Sequence, residues 1–422
     1  MKPASRALAV ELLLLACLAF LAYAPSLNIA FIADDYPNIS QARTWGAPGG
    51  LSTLLGDAQF RLRSTSYWAM YALWTMAGLS PPVYHAASVL LHVFNCWLLL
   101  AFGRSWPSMR SAAFYGAAFF AVHEGHQEAV MWFSAINEIL MFLFGLAALA
   151  CWAKSCADEH PSWKTEAVSA ALFALALLSK ESAVFLLPLF LLPAGSRHWK
   201  RLWPYAGLCA LALASIVSSR GNSFRFSDGS FSLSAPFWIT WPISFARLLW
   251  IWGWPALALI LLLAPRNVKR SAAVALAWIG IALVPYSFLT YSTRIPSRQI
   301  YLASAGLAFL VGLAAAHWRE AWPHRRRLLG AVLALIVAHN TVYLWTRKRA
   351  QFQDRAAPTD QLIALARHTS APIYVQCFPL PAMVAEEAVR LAAGRPPESL
   401  LWSQAAAGSR AGTAGFCFQE RR

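Results

Sequence analysis

The chain has 422 residues, of which 58% are hydrophobic and 13% charged, and its net charge is +16. A soluble globular domain carries about 25% charged residues, so a string of ordinary soluble domains is excluded. The Lys and Arg residues stand in short clusters between apolar runs, the pattern of cytoplasmic membrane loops, which speaks against a nucleic-acid partner.

In chain order, eleven apolar runs read as candidate spans, near residues 7–24, 83–103, 111–123, 129–152, 166–179, 183–195, 203–219, 247–264, 272–290, 300–317 and 328–346. Lys2 and Arg6 before the first run resemble a signal peptide. The weak cleavage pattern and the later runs favour an uncleaved first span. Every even-numbered junction is basic: Arg104 and Arg110, Lys154 and Lys164, Arg197 with Lys200 and Arg201, Arg266 with Lys269 and Arg270, Arg319 with Arg325 to Arg327. This places the N-terminus in the cytoplasm and the opposite loops outside. The expected fold is an all-α polytopic membrane protein of about eleven transmembrane helices over residues 1–346, with a small α/β extracytoplasmic appendage, 347–422.

Two longer segments face outside. The first, 25–82, carries Asp34-Asp35 and then an aromatic stretch from Tyr67 to Trp74 that reads as an interfacial amphipathic helix. The second, from Arg220 to about Ala246, starts polar and ends aromatic. The tail reads helix (about 356–368), strand (372–377), helix (about 381–393), strand (399–402), and Cys377 and Cys417 can pair if it lies in an oxidising compartment.

Five polar clusters punctuate the apolar runs, all on the outer side. Asp34 and Asp35 are adjacent carboxylates, which raise one another's pKa and suit a general base. In the second span His92 and Asn95 lie three apart on one helix face, a costly placement in lipid. The block His123-Glu124-Gly125-His126-Gln127-Glu128 resembles a zinc-peptidase motif only at first sight, because position 127 is Gln where the second metal-binding His belongs. Glu138 follows as an intramembrane carboxylate. Lys180-Glu181 stands between two apolar runs, and Arg294 and Arg298 stand in an otherwise uncharged loop before Tyr301. Lysine point charges and arginine forks both suit phosphate oxygens. Solvated loops, helix–helix hydrogen bonds and headgroup contacts are the bland readings of the same residues.

Taken in order, these motifs resemble the GT-C glycosyltransferases. The nearest likeness is to bacterial relatives of the protein O-mannosyltransferases and of the transmembrane mannosyltransferases that carry tetratricopeptide repeats. The likeness covers about residues 7–310 and ends with Arg298-x-x-Tyr301-Leu302-Ala303-Ser304-x-Gly306. It implies an inverting, polyprenyl-phosphate-sugar-dependent hexosyltransferase with its site on the periplasmic side. The compact loops, with no obvious retention or targeting motif, suggest a bacterial inner membrane. In that reading Asp34 or Asp35 is the general base, and Lys180, Arg294 and Arg298 hold the donor phosphate. His92, Asn95, His123, His126, Glu128, Glu138, Glu181 and Tyr301 shape the site. The implied partners are the lipid-linked donor, membrane lipids and a protein or glycolipid acceptor, and a divalent metal is left open. Glu124 and Ile136 replace a Pro and an Arg usual in the repeat-bearing relatives, and no such repeats are present. A lipid-linked-sugar flippase and a polysaccharide polymerase or ligase are the rival readings.

Overall fold

The computed structural model describes residues 3–160, 162–194, 196–218, 230–404 and 412–419. The first span is α1 (Pro3–Tyr23), and a 3-10 turn (Ala24–Asn28) leads out of it. The first outer segment folds as α2 (Asp35–Trp45), α3 (Leu51–Gly56) and α4 (Ser64–Ala77). The expected aromatic helix is thus α4, which buries Tyr67, Met70 and Leu73 against Tyr36, Ile39 and Leu54.

The chain re-enters the apolar layer at α5 (Pro81–Ser105), where two prolines occupy the first helical positions and their missing N–H groups cost nothing. Next come α6 (Ala113–Val122), α7 (Gln127–Met131), α8 (Ile136–Ala157) and α9 (Trp163–Leu177). A ten-residue 3-10 segment (Glu181–Phe190) follows, then α10 (Leu191–Ala194), α11 (Trp203–Ser218), α12 (Phe237–Leu248), α13 (Gly253–Leu263), α14 (Arg266–Leu283), α15 (Ser304–Ala321) and α16 (Arg326–Tyr343). The polar start of the second outer segment falls on residues 219–229, outside the described residues.

Six helical stretches among the described residues are long and apolar enough to cross a membrane. The count becomes seven if α12 and α13, which meet at an 80° bend, form one span. The expected eleven is corrected by the other four apolar runs. They fold as α6, α9, the 3-10 segment and α15, of 10, 15, 10 and 18 residues. A span needs about 20 apolar residues. Three of these are too short, and α15 ends in the polar sequence His317-Trp318-Arg319-Glu320. The parity argument for the side of the tail falls with the count of eleven.

The apolar core forms where α6 packs on α15, α5 and α1, and α8 on α5 and α9. Tall side chains fill it: Phe102, Phe120, Phe142, Trp152, Trp278 and Tyr301 are fully buried. Glycines permit the closest approach. A Cβ on Gly312 would sit 2.5 Å from the Ala112 carbonyl oxygen, and one on Gly116 would sit 2.8 Å from that of Ala308.

Beyond α16 the helix runs through a π-turn (Leu344–Lys348) into α17 (Arg349–His368). The tail then gives β1 (Ile373–Cys377), α18 (Ala382–Ala393), β2 (Leu400–Leu401) and β3 (Ala414–Cys417). They form a three-stranded parallel sheet of order β2-β1-β3. The expected α/β tail is present; β3 is the strand that the sequence did not announce. A Cys377–Cys417 disulfide joins β1 to β3. The tail docks on the first outer segment: Ile363 and Ala388 pack in one cluster with Phe31, Tyr36 and Ile39, and Arg390 bonds the Ser40 hydroxyl.

Candidate active site

Two adjacent aspartates end up in opposite environments. The chain leaves the extended stretch before them through Ala33, which holds φ +43°. This unusual turn buries Asp35 completely. Its carboxylate accepts the Ile32 N–H (2.8 Å), the Ser134 N–H (2.7 Å) and the Ser134 hydroxyl (2.5 Å). Burial pushes the Asp35 carboxyl up to about 7, against those hydrogen bonds, which favour its charged form. Asp34 is exposed, and among the described residues its carboxylate has no hydrogen bond or ion pair. Partial desolvation raises its pKa, while Arg298, Arg355 and Arg63 pull it down. The pair thus divides into a structural carboxylate and a free one.

Around Asp34 stand cations held by acids. Glu128, on α7, accepts the Arg298 backbone N–H (3.2 Å), and its carboxylate lies 4.0 Å from the Arg298 guanidinium and 3.4 Å from that of Arg355. Burial alone would raise the Glu128 carboxyl. The Arg298 guanidinium and backbone N–H, Ser297 and Arg355 outweigh it and hold the group below its ordinary value. Both guanidiniums lie over Trp132, at 5.0 and 4.8 Å from the ring centre. The Trp132 indole N–H donates to the Ile32 carbonyl (3.3 Å), tying this wall to the aspartate loop. Arg63 pairs with Glu181 at 3.5 Å.

Arg63, Trp132 and Arg355 were missed in the sequence reading. Trp132 and Arg63 could have been found as polar or amphipathic groups flanking the clusters. Arg355 carries no such signal, since it sits on α17 beyond the last apolar run.

The other sequence candidates lie elsewhere. Lys180 and Glu138 form a buried ion pair, which Tyr286 extends by donating to Glu138 (3.1 Å) and by its 2.7 Å contact with Ser182. The Lys180 ammonium is therefore committed to a carboxylate rather than open to a phosphate. His92 Nδ1 lies 2.7 Å from the Tyr301 hydroxyl, to which Asn95 also donates (3.1 Å). His126 Nε2 lies 2.6 Å from the Ser304 hydroxyl. These residues and His123 are buried in one aromatic cluster with Phe120 and knit α5, α6 and α15 together. The structure thus brings them together in one buried cluster, and His123 also lines a cavity with Glu124 and Ser297. Arg294 is exposed, and its side chain meets neither Asp34 nor Glu128.

Comparison with known proteins finds a matching family model and several solved structures of similar fold. A family model described as dolichyl-phosphate-mannose-protein mannosyltransferase matches residues 64–219, a little over a third of the chain. No curated protein matches the sequence significantly. ArnT from Cupriavidus metallidurans, crystallised with undecaprenyl phosphate, is 13% identical with a TM-score of 0.51, over 96% of this chain and 89% of that one. The archaeal oligosaccharyltransferase AglB from Archaeoglobus fulgidus, in complex with an inhibitory peptide and a dolichol-phosphate, is 12% identical with a TM-score of 0.55. That match covers 94% of this chain but 65% of AglB, so the chain spans just under two thirds of its length.

The chain shares the fold of ArnT and AglB. It is an integral membrane protein, with six or seven candidate spans among the described residues. The family match holds Glu128, Glu138 and Lys180 but neither Asp34 nor the two arginines of the outer wall. Among the described residues no three His, Cys, Asp or Glu side chains are arranged to hold a metal ion. Among the described residues Asp35 is saturated by three donors and Glu128 is engaged by two arginines, so Asp34 is the open carboxylate of the three. The donor set does not fit a resident metal.

Proposed function

We propose that the protein is an inverting glycosyltransferase that moves a sugar from a polyprenyl-phosphate donor to an acceptor hydroxyl on the periplasmic side of a bacterial inner membrane. The observation that carries this reading is Asp34: a single uncommitted carboxylate, raised in pKa, facing cations at the membrane surface. The acceptor oxygen attacks the anomeric carbon, and its proton passes to Asp34. The bond from that carbon to the phosphate oxygen breaks, and its electron pair leaves with the polyprenyl phosphate. The leaving phosphate gains a second negative charge, for which Arg298 supplies a fixed counter-charge. Lys180, paired with Glu138, braces the wall from behind.

Two observations support the side of the membrane. Lys2 and Arg6 before the apolar run of α1 and Arg104 and Arg110 at and just after the end of α5 favour the cytoplasm, which leaves the aspartate loop between these two spans outside. The Cys377–Cys417 disulfide in the tail, which docks on that loop, suits an oxidising compartment.

The test uses detergent-purified protein and a panel of undecaprenyl-phosphate sugars with an acceptor extract, reading release of polyprenyl phosphate. One sugar should support release. Asp34→Asn should cut it by roughly 100-fold or more, the usual size of a general-base contribution. Wild-type release by Asp34→Asn would overturn the mechanism.

A further inference from the structure

Resting on that reading, the structure assigns Arg355, supplied by the helix of the C-terminal tail, as a donor-phosphate residue, with Glu128 as a built-in anion that occupies its place when no donor is bound. Arg355 and Arg298 come from segments 57 positions apart in the sequence, yet both lie over Trp132 and both face Glu128. Their contacts to the Glu128 carboxylate are 3.4 and 4.0 Å. Strong charge-assisted arginine bonds run at about 2.7–2.9 Å and are often two-pronged. Among the described residues neither guanidinium has such a bond, so most of their fork donors are unspent. All three side chains keep 20–31% of their surface, so water and a small anion can reach them.

Charge balance gives the arrangement a purpose. Two guanidiniums against the Glu128 carboxylate leave one positive charge, which the ionised Asp34 facing them shares with the single negative charge of a sugar phosphodiester. Transfer turns that diester into a monoester, which carries up to two. Arg355 meets the extra charge, and Glu128 limits how tightly the product is then held. A site with two arginines and no Glu128 would trap its own product. The tail is therefore part of the donor site, through one residue, and not an appendage beside it.

The experiment measures binding of farnesyl phosphate to the full chain in detergent, with farnesol and inorganic phosphate as controls, and runs kinetics alongside. Wild type should bind farnesyl phosphate and bind farnesol far more weakly. Arg355→Ala should weaken phosphate-dependent binding by about 10-fold or more, the worth of one charged hydrogen bond. Arg355→Lys should fall between the two. Glu128→Gln should bind several-fold more tightly and turn over more slowly. Arg319→Ala, in the last turn of α15, should match wild type. Equal melting temperatures for wild type and Arg355→Lys separate lost binding from lost folding. Wild-type binding by Arg355→Ala overturns this inference and leaves the transferase reading standing. Weaker binding by Glu128→Gln also overturns it, because Glu128 would then position the arginines rather than compete. If wild type binds no farnesyl phosphate at all, the transferase reading falls and this inference with it.

Discussion

Ala33 pays for the site's geometry. A φ of +43° costs a residue with a Cβ about 1–2 kcal/mol. The turn it makes sends Asp34 outward and Asp35 inward, so the two carboxylates respond differently to the same change. Asp35→Ala leaves one buried and one part-buried backbone N–H group without acceptors and should destabilise the fold by about 1–3 kcal/mol, read as a lower melting temperature. Asp34→Asn should leave the melting temperature unchanged. The pH signs differ too. With a folded pKa of about 7 against 3.8, Asp35 binds its proton more tightly in the fold. Its contribution to stability is therefore full below about pH 4 and is lost as pH rises to about 7. The melting temperature of wild type relative to Asp35→Asn should fall across that window. If Asp34 is the base proposed above, the acid limb of the rate profile is its own and should lie above the usual carboxylate range near pH 4. Arg298→Ala removes a cation that lowers that pKa, so the limb should move to still higher pH. The sequence makes both aspartates visible but cannot divide them, because the division lies in one backbone dihedral. His92, Asn95 and Tyr301 were legible as a set for a different reason. Polar groups in apolar helices must find each other, but that rule does not say whether they meet in a core or in a site.

At the scale of elements, apolar runs were easy to find and their lengths misleading. Hydropathy does not register where a helix stops. The run at 111–123 ends as a helix at Val122, because His123 turns extended (φ −60°, ψ 119°). The run at 183–195 holds Pro188 and winds as a 3-10 helix. What orders these pieces is close backbone contact. Gly312→Leu would force a side chain into the Ala112 carbonyl and the Gly116 backbone, and should cost more than about 1–3 kcal/mol. Gly330→Leu, with open space around the added carbon, should be tolerated. Expression and melting temperature of the two variants check this contrast.

For the whole molecule, the tail is the part whose role the sequence hid. Its helix–strand–helix order was legible from periodicity. Its seat was not, since nothing in a local pattern says that Arg390 reaches Ser40 or that Arg355 reaches Glu128. Cys377→Ser opens a cross-link between residues 40 positions apart and should destabilise the tail by about 2–4 kcal/mol. Faster protease cleavage near β3, with membrane insertion intact, is the expected result.

The helical stretch from Pro323 to His368 counts 46 residues, about 69 Å of rod at 1.5 Å per residue, more than twice the ~30 Å hydrocarbon core. Arg355 rides on this rod, whereas Glu128 sits on the five-residue α7 and Trp132 directly follows it. A bilayer that tilts or lifts the rod to match its own thickness would slide the arginine along the indole. Lipid chain length should then set the turnover rate of a protein whose chemistry never touches those chains.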